Sequence, residues 1–193
     1  MKLQRLLIFL TIASSFLMIS ACKGGGSTEF GELAVHITDA KPLLPEGAEN
    51  VTNLFLNITG VSVHKSGGGW IALPLVEGPP HTIDLLRSIN GNTTEIVPPV
   101  LLKYGKYTQI RLEIESATIR FDNVVDSEVV IPPDHFKTEK YFLFDVDESG
   151  PIDIVIDFDL SQSLEVTDTF GTPSYILNPV LHIFDALETN MVT

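Results

Sequence analysis

A chain with a single cysteine, Cys22, cannot close an intramolecular disulfide, so its fold rests on apolar burial and backbone hydrogen bonds alone. Basic residues are also scarce, twelve Lys and Arg against twenty-five Asp and Glu in 193 residues. That balance argues against a basic face for nucleic acid or anionic headgroups, and it favours cations as company. Helical periodicity is nearly absent, and past the N-terminal region no apolar run approaches the roughly 20 residues of a membrane-spanning helix. There is no internal repeat and no low-complexity tract beyond a short glycine-rich stretch. Serine-nucleophile elbow, zincin helix and phosphate loop are missing as well. His36, His64, His81, His135 and His182 are scattered without a pair at metal-ligand spacing.

What is present begins with an address. Lys2 and Arg5 form a positive start, Leu6 to Ile19 is almost wholly apolar, and Ile19-Ser20-Ala21-Cys22 places small residues where a signal peptidase cuts. Residues 1–21 therefore read as a secretory leader. The stretch ending in Cys22 resembles the lipobox of bacterial lipoproteins, which implies a lipid on the Cys22 thiol. Lys23, by resemblance to enterobacterial sorting, favours the outer membrane of a Gram-negative cell. Residues 22–30 contain Gly24-Gly25-Gly26-Ser27-Thr28, a flexible tether whose full reach is about 25–30 Å. The leader holds two of the twelve basic residues and no acidic ones, which leaves ten against twenty-five, a formal charge of −15 on the exported part. The remaining 172 residues suit one domain, placed at 31–193.

Through that domain, Val, Ile, Leu, Phe and Tyr alternate with polar residues between clusters of Gly, Pro, Asn and Asp, a strand-and-turn rhythm. In Gly31 to Thr38 one face holds Leu33, Val35 and Ile37, and the other holds Ala34, His36 and Thr38. From Asn53 to His64 the apolar set changes parity at Gly60, and Ile110-Leu112-Ile114 gives way to Ala117-Ile119-Phe121 in the same manner. Both are signs of a bulge or of a strand turning a corner between sheets. Shorter strands are expected at Trp70–Leu73, Thr82–Leu85, Val129–Ile131, Lys140–Phe144 and Ile152–Phe158, with helical turns at Leu85–Ser88 and Ser161–Leu164. The fold class expected is all-β, an antiparallel β-sandwich of immunoglobulin-like or prealbumin-like type with seven to nine strands and little helix. A closed barrel is the alternative.

Several strings in order, Gly31-Glu32-Leu33 into Thr38-Asp39-Ala40, Gly68-Gly69-Trp70, Ile83-Asp84-Leu85-Leu86, Tyr107 to Leu112, Asp157-Phe158-Asp159 before Ser163, and Tyr175 to Val180, span most of the exported part. Together they resemble a family of bacterial and archaeal lipoprotein domains known only as domain of unknown function 4382. The usual pattern has proline directly after Thr-Asp-Ala, whereas Lys41 precedes Pro42 here. The resemblance implies a β fold and a surface lipoprotein, and brings no catalytic residue.

Asp145, Asp147, Ser149 and Asp153 occupy alternating positions of a calcium-loop pattern with Gly150 at the turn, but Ile156 stands where a bidentate Glu belongs. The stretch reads better as an acidic hairpin between strands, and calcium is the one cofactor left open. Trp70 after a glycine run is either a sugar-stacking platform or, on the favoured reading, a cover for the end of the core. His36 and His64 would meet if their strands were neighbours. Tyr107 and Tyr175 are expected to bury their rings and to bond through their hydroxyls. Asn50, Asn57 and Asn92 stand in glycosylation sequons that a bacterial lipoprotein leaves bare. The function expected is a lipid-anchored binding or structural module of the cell envelope, not an enzyme, with an envelope protein or polysaccharide as partner. A small-ligand module for glycan or calcium, and a hydrolase, are the rivals.

Overall fold

A computed structural model describes residues 29–39, 44–88, 92–122, 125–135, 137–169 and 172–186. The leader, Cys22 and most of the tether, the Ala40-Lys41-Pro42 turn and the His135 side chain lie outside what it describes. Twelve strands are found among the described residues: β1 (Phe30–Thr38), β2 (Val51–Lys65), β3 (Trp70–Leu73), β4 (His81–Asp84), β5 (Thr94–Lys103), β6 (Gly105–Phe121), β7 (Val125–Val129), β8 (Lys137–Val146), β9 (Ile152–Phe158), β10 (Leu164–Thr169), β11 (Thr172–Leu177) and β12 (Leu181–Asp185). Leu160–Ser163 forms an α-helical turn, α1, and Leu85–Arg87 and Pro133–His135 form 3-10 turns. Three sheets result: β12-β9-β1-β5, the hairpin β10-β11, and a six-stranded sheet built on β2 and β6. The sheets do not close into a barrel, and the arrangement is an all-β sandwich.

The core lies between the two large sheets. From one side come Leu33, Val35 and Ile37 of β1 with Ile154, Ile156 and Phe158 of β9; from the other come Leu54, Leu56 and Ile58 of β2 with Ile110, Leu112 and Ile114 of β6, all buried in one cluster. Each such side chain stabilises the fold by about 1.5–3 kcal/mol on full burial, the term that replaces the missing disulfides. Tyr107 is fully buried and stacks on Phe144 at 5.1 Å, and its hydroxyl donates to the Lys103 carbonyl at 2.9 Å, as expected. Burial raises the Tyr107 pKa above the ordinary tyrosine value. Tyr175 is buried against Phe121.

The parity changes have a common cause. Asn57 pairs with Ser116, Ile58 with Ile114 and Gly60 with Glu113, so Glu115 is extra on β6 and Thr59 is extra on β2. The two bulges cancel: Leu56 opposite Ala117 and Val61 opposite Leu112 follow the same register on either side. At that latitude each strand flips its side-chain phase and keeps its apolar residues on the core side. Neither strand leaves the sheet, so the corner between two sheets does not occur. Below the bulges β4 and β7 flank the pair, and above them β3 and β8 do.

Four further expectations are corrected. The strand count exceeds seven to nine because β5, β10, β11 and β12 lack a clean alternation; β5 carries Pro98-Pro99, tolerable because it is an edge strand. The sandwich is not wholly antiparallel, since β1 and β9 pair in parallel from Leu33 opposite Ile152 to Thr38 opposite Asp157. Residues 147–151 are not a hairpin: β8 belongs to the six-stranded sheet and β9 to the four-stranded one, so this loop crosses between layers. The strand expected at Val129–Ile131 ends at Val129, and Val130 makes only an isolated parallel bridge to Ile176.

The crossing is tight where β1 begins. A Cβ on Gly31 would lie 2.7 Å from Val146 Cγ1 and 3.2 Å from the Asp147 carbonyl, against backbone and a buried side chain. Gly31→Ala is expected to cost about 1–3 kcal/mol in urea unfolding, the usual penalty of overpacking. Gly69→Ala, where nothing lies within 4 Å, should leave the midpoint unchanged.

Candidate functional site

Three places hold the residues singled out by chemistry. The first is the outer face of the six-stranded sheet. His64 pairs with Trp70 on β3 and with Gln109 on β6, and Gln109 pairs with Tyr141 on β8, so Trp70, His64, Gln109 and Tyr141 form one row across four strands. Trp70 is half-buried and outward, not a core cover as favoured above, because its ladder partner His64 points away from the buried Val63. The Arg111 guanidinium lies 3.8 Å from the Trp70 ring centroid, while its Nε and Nη2 donate to Glu139 Oε1 at 2.9 and 2.5 Å. His64 meets the Trp70 ring edge-on at 5.3 Å, and its Nδ1 is 3.1 Å from Thr108 Oγ1. One face of the tryptophan is thus occupied from within the protein. Tyr141, 70% exposed, is the open aromatic of the row, a position the sequence did not flag because its partner strands are remote in the chain.

The second place is the crossover 147–151. Asp145 faces Lys106 Nζ at 3.3 Å, Asp147 Oδ1 accepts from the Ser149 amide at 2.8 Å, and Asp153 lies on β9, 3.9 Å from His36 Nε2. Hydrogen bonds from Ser149 hold the Asp147 carboxyl below its ordinary pKa. Asp145 and Ser149 line a cleft of about 360 Å³ with Phe142, Pro151 and Asp185. Among the described residues no group of three or more His, Cys, Asp or Glu stands where it could hold a metal ion. His36 and His64 do not meet, because β1 and β2 lie in different sheets.

The third place is a pair of polar joints at strand ends. At the far end of β1, Thr38 Oγ1 donates to the Ser88 and Asn92 carbonyls, both at 2.8 Å, and the Asp39 amide donates to the same Ser88 carbonyl at 2.7 Å. Ser88 Oγ is 2.5 Å from Thr94 Oγ1. Beside this joint, Asp84 accepts from Asn53 Nδ2 at 2.5 Å, from the Leu54 amide at 3.2 Å, and faces Arg87 Nε at 3.2 Å. His81 is buried with neither ring nitrogen hydrogen-bonded, and Glu77 Oε2 stands 3.6 Å from Nδ1. A cleft of about 390 Å³ lies alongside, yet both nitrogens are sealed from it, so nothing lodged there reaches them.

The other joint is built on Asp159, the N-cap of α1. Its carboxylate accepts from the Gln162 amide at 3.2 Å, from Ser161 Oγ at 2.6 Å and from Gln162 Nε2. Its amide donates to the Val180 carbonyl at 3.0 Å, and Ser163 holds the returning chain through Val180 N and Asn178 N at 2.9 and 2.7 Å. His182 Nε2 is 3.8 Å from Asp159 Oδ2. Ser161, Asp159 and His182 thus share a locality, but the carboxylate sits in the middle. A nucleophilic serine needs the imidazole there, so this order orients and does not activate.

The hydrogen bond from Ser161, above all, lowers the Asp159 pKa from its ordinary value. A carboxyl depressed in the folded state stabilises above its unfolded pKa and loses that contribution as pH falls through the folded one. Asp159→Ala is expected to cost about 1 kcal/mol at neutral pH, and Asp159→Asn less. The gap between wild type and Asp159→Asn should shrink below about pH 4, measured by thermal unfolding across pH. Because Asp145, Asp147 and Asp153 are engaged by Lys106, Ser149 and His36, calcium at fixed ionic strength should leave the Tm unchanged. A saturable rise lost in Asp147→Ala would restore the calcium reading.

One family, described as Domain of unknown function (DUF4382), matches residues 30–179. No curated protein and no solved structure matches the chain.

Proposed function

We propose, for a chain that belongs to the DUF4382 family of domains of unknown function, a lipid-anchored module of the cell envelope that binds or braces a partner at the membrane surface. The observation that carries this reading is the leader ending at Cys22, where a lone thiol coincides with a peptidase signal. Two or three acyl chains on that sulfur, each buried methylene contributing about 0.8 kcal/mol, make a stable mooring. No helix among the described residues is long and apolar enough to cross a membrane.

Binding, not turnover, is the mode favoured by the site chemistry. Of the polar residues that carry the family resemblance, Thr38, Asp84, Asp159 and Ser163 are engaged through their side chains in tying strand ends together, and Asp39 through its backbone amide. What faces outward is a sheet surface with Tyr141, Trp70 and Arg111, residue types that dominate contact surfaces for proteins and for glycans. The partner is an envelope protein or polysaccharide, met on that face. An outer-membrane location follows from Lys23 if the cell is Gram-negative.

Replacing Cys22 by Ala should move the protein from the membrane pellet to the soluble extract of its own cells. A Cys22→Ala variant that stays in the pellet after a carbonate wash would end the anchor reading.

A further inference from the structure

Two large apolar side chains stand open where the chain enters the sandwich. Phe30, the first residue of β1, is 43% exposed, and Leu101 of β5 is 65% exposed. The ladder pairs Phe30 with Lys103 and Glu32 with Leu101. Partners in an antiparallel ladder point to one side, so Phe30, Leu101, Lys103 and Glu32 share the outer face of the four-stranded sheet. Leu33 and Leu102, on the opposite face, are buried in the core. Hydrogen bonds tie the corner: the Tyr104 amide donates to the Glu29 carbonyl at 2.9 Å, and Lys65 Nζ donates to the Tyr104 carbonyl at 2.9 Å. Two exposed apolar side chains at such a corner invite a cover.

The chain itself indicates which. Phe30 is eight residues from Cys22, a separation that chain geometry limits to about 26–29 Å. We propose that Phe30, Leu101 and Lys103 rest on the lipid surface that holds Cys22, the two apolar side chains entering the interface and Lys103 reaching the headgroups. This rests on the lipidation reading. A tethered patch meets the surface at high effective concentration, so a contact too weak to bind lipid alone suffices to orient the body. The contact is apolar in character: a body of formal charge −15 is not drawn to anionic lipid, and Glu32 beside Leu101 keeps the insertion shallow. Lys103 lays its stem along the apolar pair with its ammonium outward. Docked in this way, the body stands with β1 rising from the surface and the Thr38 end of the sandwich away from it.

The test uses the full-length lipoprotein in phosphatidylcholine vesicles, with an environment-sensitive fluorophore on Leu101→Cys or on Val76→Cys. Val76 is also exposed, at 44%, but bonds to Ile96 toward the opposite end of β5. Acylated Cys22 has no thiol to label. Vesicle flotation reports the anchor, and quenching by spin-labelled lipid reports the contact. Flotation with several-fold stronger quenching at Leu101 than at Val76, abolished by Phe30→Glu, is the expected result. Flotation with equal quenching at the two positions overturns the docking and leaves the anchor standing. A blue shift at Leu101 without lipid quenching also overturns it, assigning the patch to a second copy. Protein that fails to float removes the anchor reading and the docking with it.

Discussion

Strands β2 and β6, fifteen and seventeen residues long, run against each other almost from end to end, and four other strands take their places from that ladder. A ladder this long would twist its apolar face away from any single partner layer. The paired bulges at Thr59 and Glu115 divide it into two shorter segments without changing the register, and each segment recruits its own flanking strands. Because the insertions compensate, neither strand slips, and Leu54 to Ile58 and Val61 to Val63 all reach the same core. The four-stranded sheet packs on this platform through β1 and β9. Their parallel pairing requires the chain to leave β1 and return much later, through the crossover at 147–151.

Seen against that frame, the residues that carry the family resemblance sort by physical duty. Gly31 is small because Val146 and the Asp147 carbonyl crowd it. Thr38 and Asp39 tie the far end of β1 to Ser88, and Asp159 with Ser163 ties α1 to the chain at Asn178 and Val180. Tyr107 closes the near end through its hydroxyl. These are joints at strand ends, where backbone groups would otherwise be stranded without partners. Trp70, Gln109 and Arg111 also carry the resemblance and face outward together, with the Arg111 guanidinium on the Trp70 ring.

Much of the fold was legible because alternation of apolar and polar residues reports a side chain's direction directly. The bounds of β3 and β9, both parity flips and the turns at Leu85 and Ser161 follow from local pattern. The site was less legible. Asp145, Asp147, Ser149 and Asp153 look like a ligand set when spaced along one dimension, but β8 and β9 diverge into separate layers and Asp153 goes to His36. Tyr141 joins Trp70 only through two intervening strands, which no local window reveals. β5 was hidden by Pro98-Pro99, whose missing amides matter little at an edge.

The sequence by itself determined the class of fold, the inward and outward faces of most strands and the latitude of the bulges. Each of these is a property of neighbouring residues: a period of two or a change of parity. Which strand lies beside which was decided only by the tertiary structure, and with it the parallel β1–β9 pair, the crossing loop, the row from Trp70 to Tyr141 and the open corner at Phe30 and Leu101. The reason is that alternation names the face a side chain must bury but not the partner that buries it. That partner is chosen by closing two sheets around one core, a choice made by the whole chain at once.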